Sequence, residues 1–471
     1  GAQADTQSLS LSSGTSGQIS VTGAVGGTRL AGLTISTSGG TTFSSTVNTS
    51  SLTLTDTSAS QTIAFQNNLT VATSMTVSGS SHAYNVSITG SSNSIAGSTT
   101  FANTGSLTLG NAATDSFSFG SGLTALTQTG ITIAATITSG GVTTLGDSNT
   151  GITLGANTSI STSAANAALN LDGAVTGASK TLTLSAGTGT LRFGSTASGL
   201  SDTSLTADEV NLGGSFAGSG TLSIVPTTTN REIYLGGSDN TNAGVLNLTS
   251  TELGYLADGF SSITIGGAGF GGAITSKADL SFKDPTTFQT TATTTLSHNL
   301  AAASATNASF TISGPMTWNG GNISTGSGAI ALNGDISLGG SGTRTITSTS
   351  GTVTLGSSSS NTITGNTANL TLNSGTAVTT VNSAMTGIGA LGLGTSGQTG
   401  AMVLYSTVSA SSLATGSTAY DLTFGAPAQT ISSIKVTADN GYYIYLNGTY
   451  IGAGHDLSLI HISEPTRPER I

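Results

Sequence analysis

The tetrad apolar, polar, apolar, glycine recurs throughout this chain and limits its fold more than any other feature. LTLG occupies 107–110, FSFG 117–120, ITLG 152–155, LRFG 191–194, ITIG 263–266, ISLG 336–339 and VTLG 353–356. Side chains alternate across a strand, so both apolar residues of a tetrad fall on one face and the polar residue on the other. The glycine then supplies a turn or corner. Each tetrad predicts a short strand with one dry face and one wet face. Such a strand cannot bury its apolar side alone, so the units must stack on one another.

Spacing narrows how they stack. The intervals between such glycines cluster near one half, one and two times a length of about 20 residues, blurred by insertions. An irregular period suits a solenoid, whose coils of about 20 residues hold two or three strands, better than a propeller with a fixed blade length. The expected fold is therefore all-β: a right-handed parallel β-helix over residues 1–425, with Leu, Ile, Val and Phe laddered inside and Thr, Ser and Asn outside. Strand-on-strand stacking also satisfies the backbone amides of a polar chain.

Composition agrees. Of 471 residues 6% are charged and 35% hydrophobic, with 67 Gly, 6 Pro and no Cys. Disorder goes with low hydrophobicity and high net charge, whereas apolar residues recur along the whole chain. Scarce helix formers and abundant Thr, Val and Ile favour strands. The net charge of −10 is spread thinly, with no basic run to track phosphates, so nucleic acid is not an expected partner. No stretch of about 18 apolar residues offers a membrane span. Large surface proteins of this composition often avoid Cys and nothing in the sequence calls for a redox centre, so export is the expected destination.

One segment departs from the strand pattern. In STELGYLADGF, at 250–260, Ser250 or Thr251 is placed to cap a helical turn, Leu253 and Leu256 share a face, and Gly259 ends it. After about Gly425 the texture changes again: Asn440-Gly441 and Asn447-Gly448 flank strand-like runs rich in Tyr, a hairpin signal. Residues 426–456 read either as the opening of a β-sandwich module, since DNGYYIYLNGTYIG resembles the first strands of galactose-binding-like modules, or as a last hairpin of the solenoid. The ends are unusual too. The chain opens at Gly1 without Met and no signal peptide follows, so it is expected to start inside the array, and LSLIHISEPTR at 457–467 resembles the translation of a transposase sequencing adapter. Residues 457–471 are therefore expected to be non-native and no part of the fold.

Residues 204–276 carry a family resemblance. LTADEVNL at 205–212, GTLSI at 220–224, IYLGG at 233–237 and the run from 246 to 266 are similar to the repeat of filamentous-haemagglutinin-like giant bacterial exoproteins. The resemblance implies a secreted, cell-surface β-helix used in adhesion or extracellular matrix building. Its implied partners are a host or neighbouring-cell surface and polysaccharide or matrix components.

Chemistry is sparse. Glycoside hydrolysis needs two carboxylates about 5–10 Å apart. Asp208-Glu209 is the one adjacent pair, and strand alternation is expected to point its members to opposite faces. Asp279, Lys283 and Asp284 read as a solvated loop before Pro285, and unpaired acids across the array favour turns and caps. His82 and His298 have no acid beside them in sequence, although His455 precedes Asp456. There is no metal-ligand spacing, and GGSDNTNAG at 236–244 only gestures at a calcium repeat. Asn68-Leu-Thr and Asn247-Leu-Thr are glycosylation triplets by composition alone. Flat ladders of Thr-x-Thr pairs on a solenoid can bind ice; RTITSTS at 344–350 is the nearest case, and the sequence shows no recurrence of pairs at one register in successive coils. No catalytic, cofactor-binding or metal-ligating residue is assigned. The expected function is a non-catalytic adhesive or structural stalk, with a carbohydrate-active β-helix enzyme and a surface-layer or matrix component as the other readings.

Overall fold

The structure, a computed structural model, describes residues 3–238, 244–303, 308–395, 397–416 and 420–425, and beyond these the backbone of four short strands. It is all-β, a solenoid of about 18 turns of parallel stacked coils. The chain divides into two compact units, one of residues 1–228 with 255–260, the other of residues 229–254 with 261–471.

In the first unit each coil contributes strands to three parallel ladders. One inward ladder runs through Ile63, Val86, Leu107, Ile131 and Ile152, another through Phe43, Phe65, Ile88, Leu109 and Ile133. All of these side chains are buried. The tetrads behave as their parity requires: the strand Ser106–Leu109 alternates half-buried and buried, as does Thr62–Phe65. Gly110 follows at φ +79°, a left-handed corner that costs a Cβ-bearing residue steric energy.

Coil length is less regular than the tetrad spacing suggests. On one ladder the wet positions Ser92, Ser116, Thr136, Ser159, Thr183 and Ser204 stand side by side. The stretch of chain between neighbours nevertheless varies, being longer from Ser92 to Ser116 than from Ser116 to Thr136. The variation is absorbed in corners, where extra residues turn outward without disturbing strand register. Two corners are smoothed into long bulged strands, Val175–Phe193 and Ala197–Leu212.

The second unit repeats the plan. Its ladders include Phe310, Ile330 and Val353 on one face, Met316 and Ile336 on another, and Ile323, Ile346 and Leu372 on a third. An irregularity opens it: the strand Val245–Thr249 pairs with Glu232–Gly237 after much less than a full coil, Glu232 to Val245, while Ile233 pairs on its other side with Ile274. A shortened excursion thus adds one strand to that sheet before the coils resume.

The helix Ser250–Tyr255 follows that strand, as the sequence predicts, but the cap is one residue earlier than expected. Thr249 accepts from the Glu252 amide at 3.2 Å, and Glu252 accepts the Thr249 amide at 2.9 Å and its hydroxyl at 2.8 Å. This reciprocal capping box explains why Glu252 is buried. Leu253 and Leu256 are buried, and Gly259 turns the chain at φ +138°.

Tyr442–Leu446 and Thr449–Gly454 pair antiparallel, and the former also pairs parallel with Leu422–Phe424. The two Asn-Gly turns of this region, His455, Asp456 and most of the proposed adapter-derived tail lie outside the described residues.

Candidate functional site

The acids are spent on corners, which is where unpaired acids were expected. Asp147 accepts the amides of Asn149 and Thr150, each at 2.8 Å, and Asp202 and Asp279 accept amides one coil on, from Thr221 and Asn299. These backbone donors hold all three carboxyls below the usual carboxylate range. Asp208 accepts the Thr228 amide at 2.8 Å and hydroxyl at 2.6 Å. It is buried, while Glu209 is partly exposed and pairs in register with Thr190; a register slip at this corner, not simple alternation, separates the two.

One sequence expectation needs correction. Asp284 does not sit in a solvated loop: it is buried, because its parity follows Phe282 inward across the corner, whereas Asp279 stays exposed on the rim. His82, which has no acid beside it in sequence, meets one from one coil back. Its Nδ1 lies 3.0 Å from an Asp56 oxygen, and Ser80 and His82 draw the Asp56 carboxyl down against the desolvation that raises it. Ser81 Oγ approaches the same ring nitrogen, at 3.5 Å. A nucleophile relay needs the hydroxyl on one imidazole nitrogen and the acid on the other, so this cluster is a corner clasp. Asn247, finally, is fully buried and cannot carry a surface modification, while Asn68 uses its oxygen on the Ser92 amide.

The groove that sequence reasoning missed lies in the second unit, where the irregular strand pairing leaves a step. It has a volume of about 680 Å³ and is lined by Tyr234, Gly236, Gly237, Thr249, Ser250 and Lys277, among others. The Lys277 ammonium sits 3.8 Å above the Tyr234 ring, a cation–π contact. A hydrogen bond to Glu232 pushes the Tyr234 hydroxyl above its ordinary value. Cation, aromatic ring and hydroxyls in an open groove suit weak capture of an anionic or polyhydroxylated group. Tyr234 and Lys277 are far apart in sequence, so only the coil register brings them together. The calcium-like run at 236–244 borders the groove, but 239–243 lie outside the described residues. No group of three His, Cys, Asp or Glu able to hold a metal occurs among the described residues.

Beside the groove, both amide atoms of Asn247 are buried without a hydrogen-bond partner among the described residues. An unsatisfied buried polar group costs about 1–3 kcal/mol. Asn247→Leu, close in volume, is therefore expected to raise the stability of the second unit by about that amount, read as a higher denaturant midpoint with an unchanged m-value. A lower midpoint would show that the amide has a partner in solution.

Comparison with protein-family models, curated proteins and solved structures gives no match to this chain. No helix among the described residues is long and apolar enough to cross a membrane.

Proposed function

We propose that this chain is a structural and adhesive segment of a secreted bacterial cell-surface protein, serving attachment or extracellular matrix building without catalysis of its own. One observation carries the reading: the inward ladders run from coil to coil while the outward positions are mostly small hydroxyl and amide side chains, and acids such as Asp202, Asp208 and Asp279 join one coil to the next. Such an architecture is extended by adding coils, each stabilised chiefly by its neighbours. It presents many copies of a weak polar surface, from which avidity arises by multivalency. The similarity of residues 204–276 to filamentous-haemagglutinin-like repeats points the same way, to a cell-surface location and to polysaccharide, matrix or neighbouring-cell partners.

Two measurements test it. The full chain, coupled to beads, is expected to adhere to bacterial or host cells or to matrix polysaccharide; beads that bind none of these would leave only a passive spacer. Deletion of residues 99–122, one coil by the pairing of Thr99 with Leu123, is expected to leave the remaining coils folded with a slightly lower midpoint. Global unfolding of that deletion would contradict the modular stalk.

A further inference from the structure

The wet side of one ladder in the first unit is a two-file array of hydroxyls. Its first file runs from Ser92 to Ser204 through the six coils already described. The second file stands two residues on: Ser94, Ser118, Thr138, Ser161, Ser185 and Thr206 are likewise in register from coil to coil. Six successive coils thus present a pair of hydroxyls at one register, the regularity the sequence does not reveal. None of these pairings carries a bulge between the two files.

The other two faces serve as internal controls, since they share the composition and the coil. One has a single file through Thr76, Thr100, Thr124 and Thr144, but two residues before the last two stand Gly122 and the exposed Val142. The third has Thr108, Thr132 and Thr153, with Gly130 and Gly151 two residues before the latter pair. Only the first array keeps both files filled through six successive coils.

Its geometry and chemistry select an occupant. Strands lie about 4.8 Å apart and alternate residues of a parallel strand about 6.6 Å apart, two repeats close to the in-plane oxygen repeats of an ice prism face. Both files lack charged residues, so an anionic polymer finds no counter-charge there, and both lack the aromatic platform on which a sugar ring packs. The hydroxyls are free to bind: apart from Ser116, Thr138 and Ser161, which reach Ser91 O, Phe117 O and Ser163 Oγ, they have no protein partner among the described residues. Each offers one donor and two acceptor sites. Beneath them Phe117, Ile137, Ile160 and Leu184 are buried and hold the strands in place. A rigid periodic array favours a rigid periodic ligand, which alone engages all the pairs at once.

We propose that this face is an ice-binding plane, ordering water across the pairs of hydroxyls from Ser92 to Thr206. The test uses the full chain. It is expected to partition into slowly growing ice and to slow recrystallisation, whereas Thr138→Tyr and Ser161→Tyr, which break the plane at its centre, lower the partition about tenfold or more. Thr124→Tyr, on the single-file face, is expected to leave it unchanged. Circular dichroism checks folding, and if a tyrosine variant melts early, Thr138→Lys replaces it, because a solvent-facing lysine leaves the core intact. Exclusion of the full chain from ice overturns the proposal, as does equal behaviour of plane and control variants. Retention on an insoluble neutral polysaccharide with no affinity for ice also overturns it, and reassigns the plane to that polymer.

Discussion

Phe65→Ala should unfold the coils around it while leaving distant coils protected. Phe65 is fully buried, its ring stacked on Phe43 with centroids 5.0 Å apart and planes 1° from parallel, and its ladder continues into Ile88. Truncating a buried Phe costs about 3–5 kcal/mol in lost transfer energy and cavity formation, and loss of the ring pair adds about 0.5–1.5 kcal/mol. In a globular core such a loss is shared across the molecule; in a solenoid each coil contacts only its neighbours, so it concentrates locally. Hydrogen exchange should therefore show lost protection at 41–43, 62–65 and 85–88, with strands such as Ser204 to Leu212 little changed. Phe65→Leu, which keeps most of the volume, should cost less than about 1.5 kcal/mol. A uniform loss of protection across the first unit would mean that its coils melt as one cooperative block.

Much of this fold is legible in the sequence because strand parity is a local property. LTLG at 107–110 states its own inside and outside, and the burial of Leu107 and Leu109 follows with no reference to the rest of the chain. The short helix is legible for the same reason, although the cap moved to Thr249 because Glu252 pairs with the residue three before it. Register between coils is another matter. It depends on how much chain each corner absorbs, and the unequal steps from Ser92 to Ser116, Thr136 and Ser159 leave no fixed period to find. Both surfaces of functional interest, the groove at Tyr234 and Lys277 and the plane of paired hydroxyls, exist only through that register. The His82–Asp56 clasp was hidden in the same way, its partners being one coil apart.

Corner chemistry also explains how so few charges suffice. A parallel stack satisfies the amides of its strands, yet every corner breaks the ladder and leaves donors to be paired. Asp147, Asp202, Asp208 and Asp279 meet that need, and Asn85 and Asn369 do the same with their side-chain oxygens, on Ser106 and Ala390. The scarcity of acids and their dispersal are thus two aspects of one design, in which charge is placed where the backbone turns.

Arg344 is the inverse case, a cation at a corner rich in acceptors, and its removal should rank with the loss of Phe65. The strand Thr343–Ser348 turns Arg344 inward with Ile346 and Ser348, leaving it 5% exposed. Parity with Ile346 and Ser348 sets this orientation against the preference of a charge for water. Inside, its Nε donates to Trp318 O at 3.1 Å and its Nη2 to the carbonyls of Asn319 and Gly339. Glycines make room for the fork: a Cβ at Gly342 would lie 3.0 Å from Nη1. Trp318 itself is buried and donates to Gly320 O and Gly321 O, so the whole corner depends on this set of bonds. Arg344→Ala takes that donor from three carbonyls, of which Trp318 O keeps the Gly339 amide, and opens a cavity. With two carbonyls left unpaired at about 1–3 kcal/mol each, the expected loss is about 2–6 kcal/mol, read as a lower denaturant midpoint and lost exchange protection at Met316–Trp318 and Ile336–Leu338. Arg344→Lys should recover little, because an ammonium on a flexible stem cannot span three acceptors placed for a planar guanidinium. Full recovery by lysine would mean that the charge, and not the fork, holds the corner.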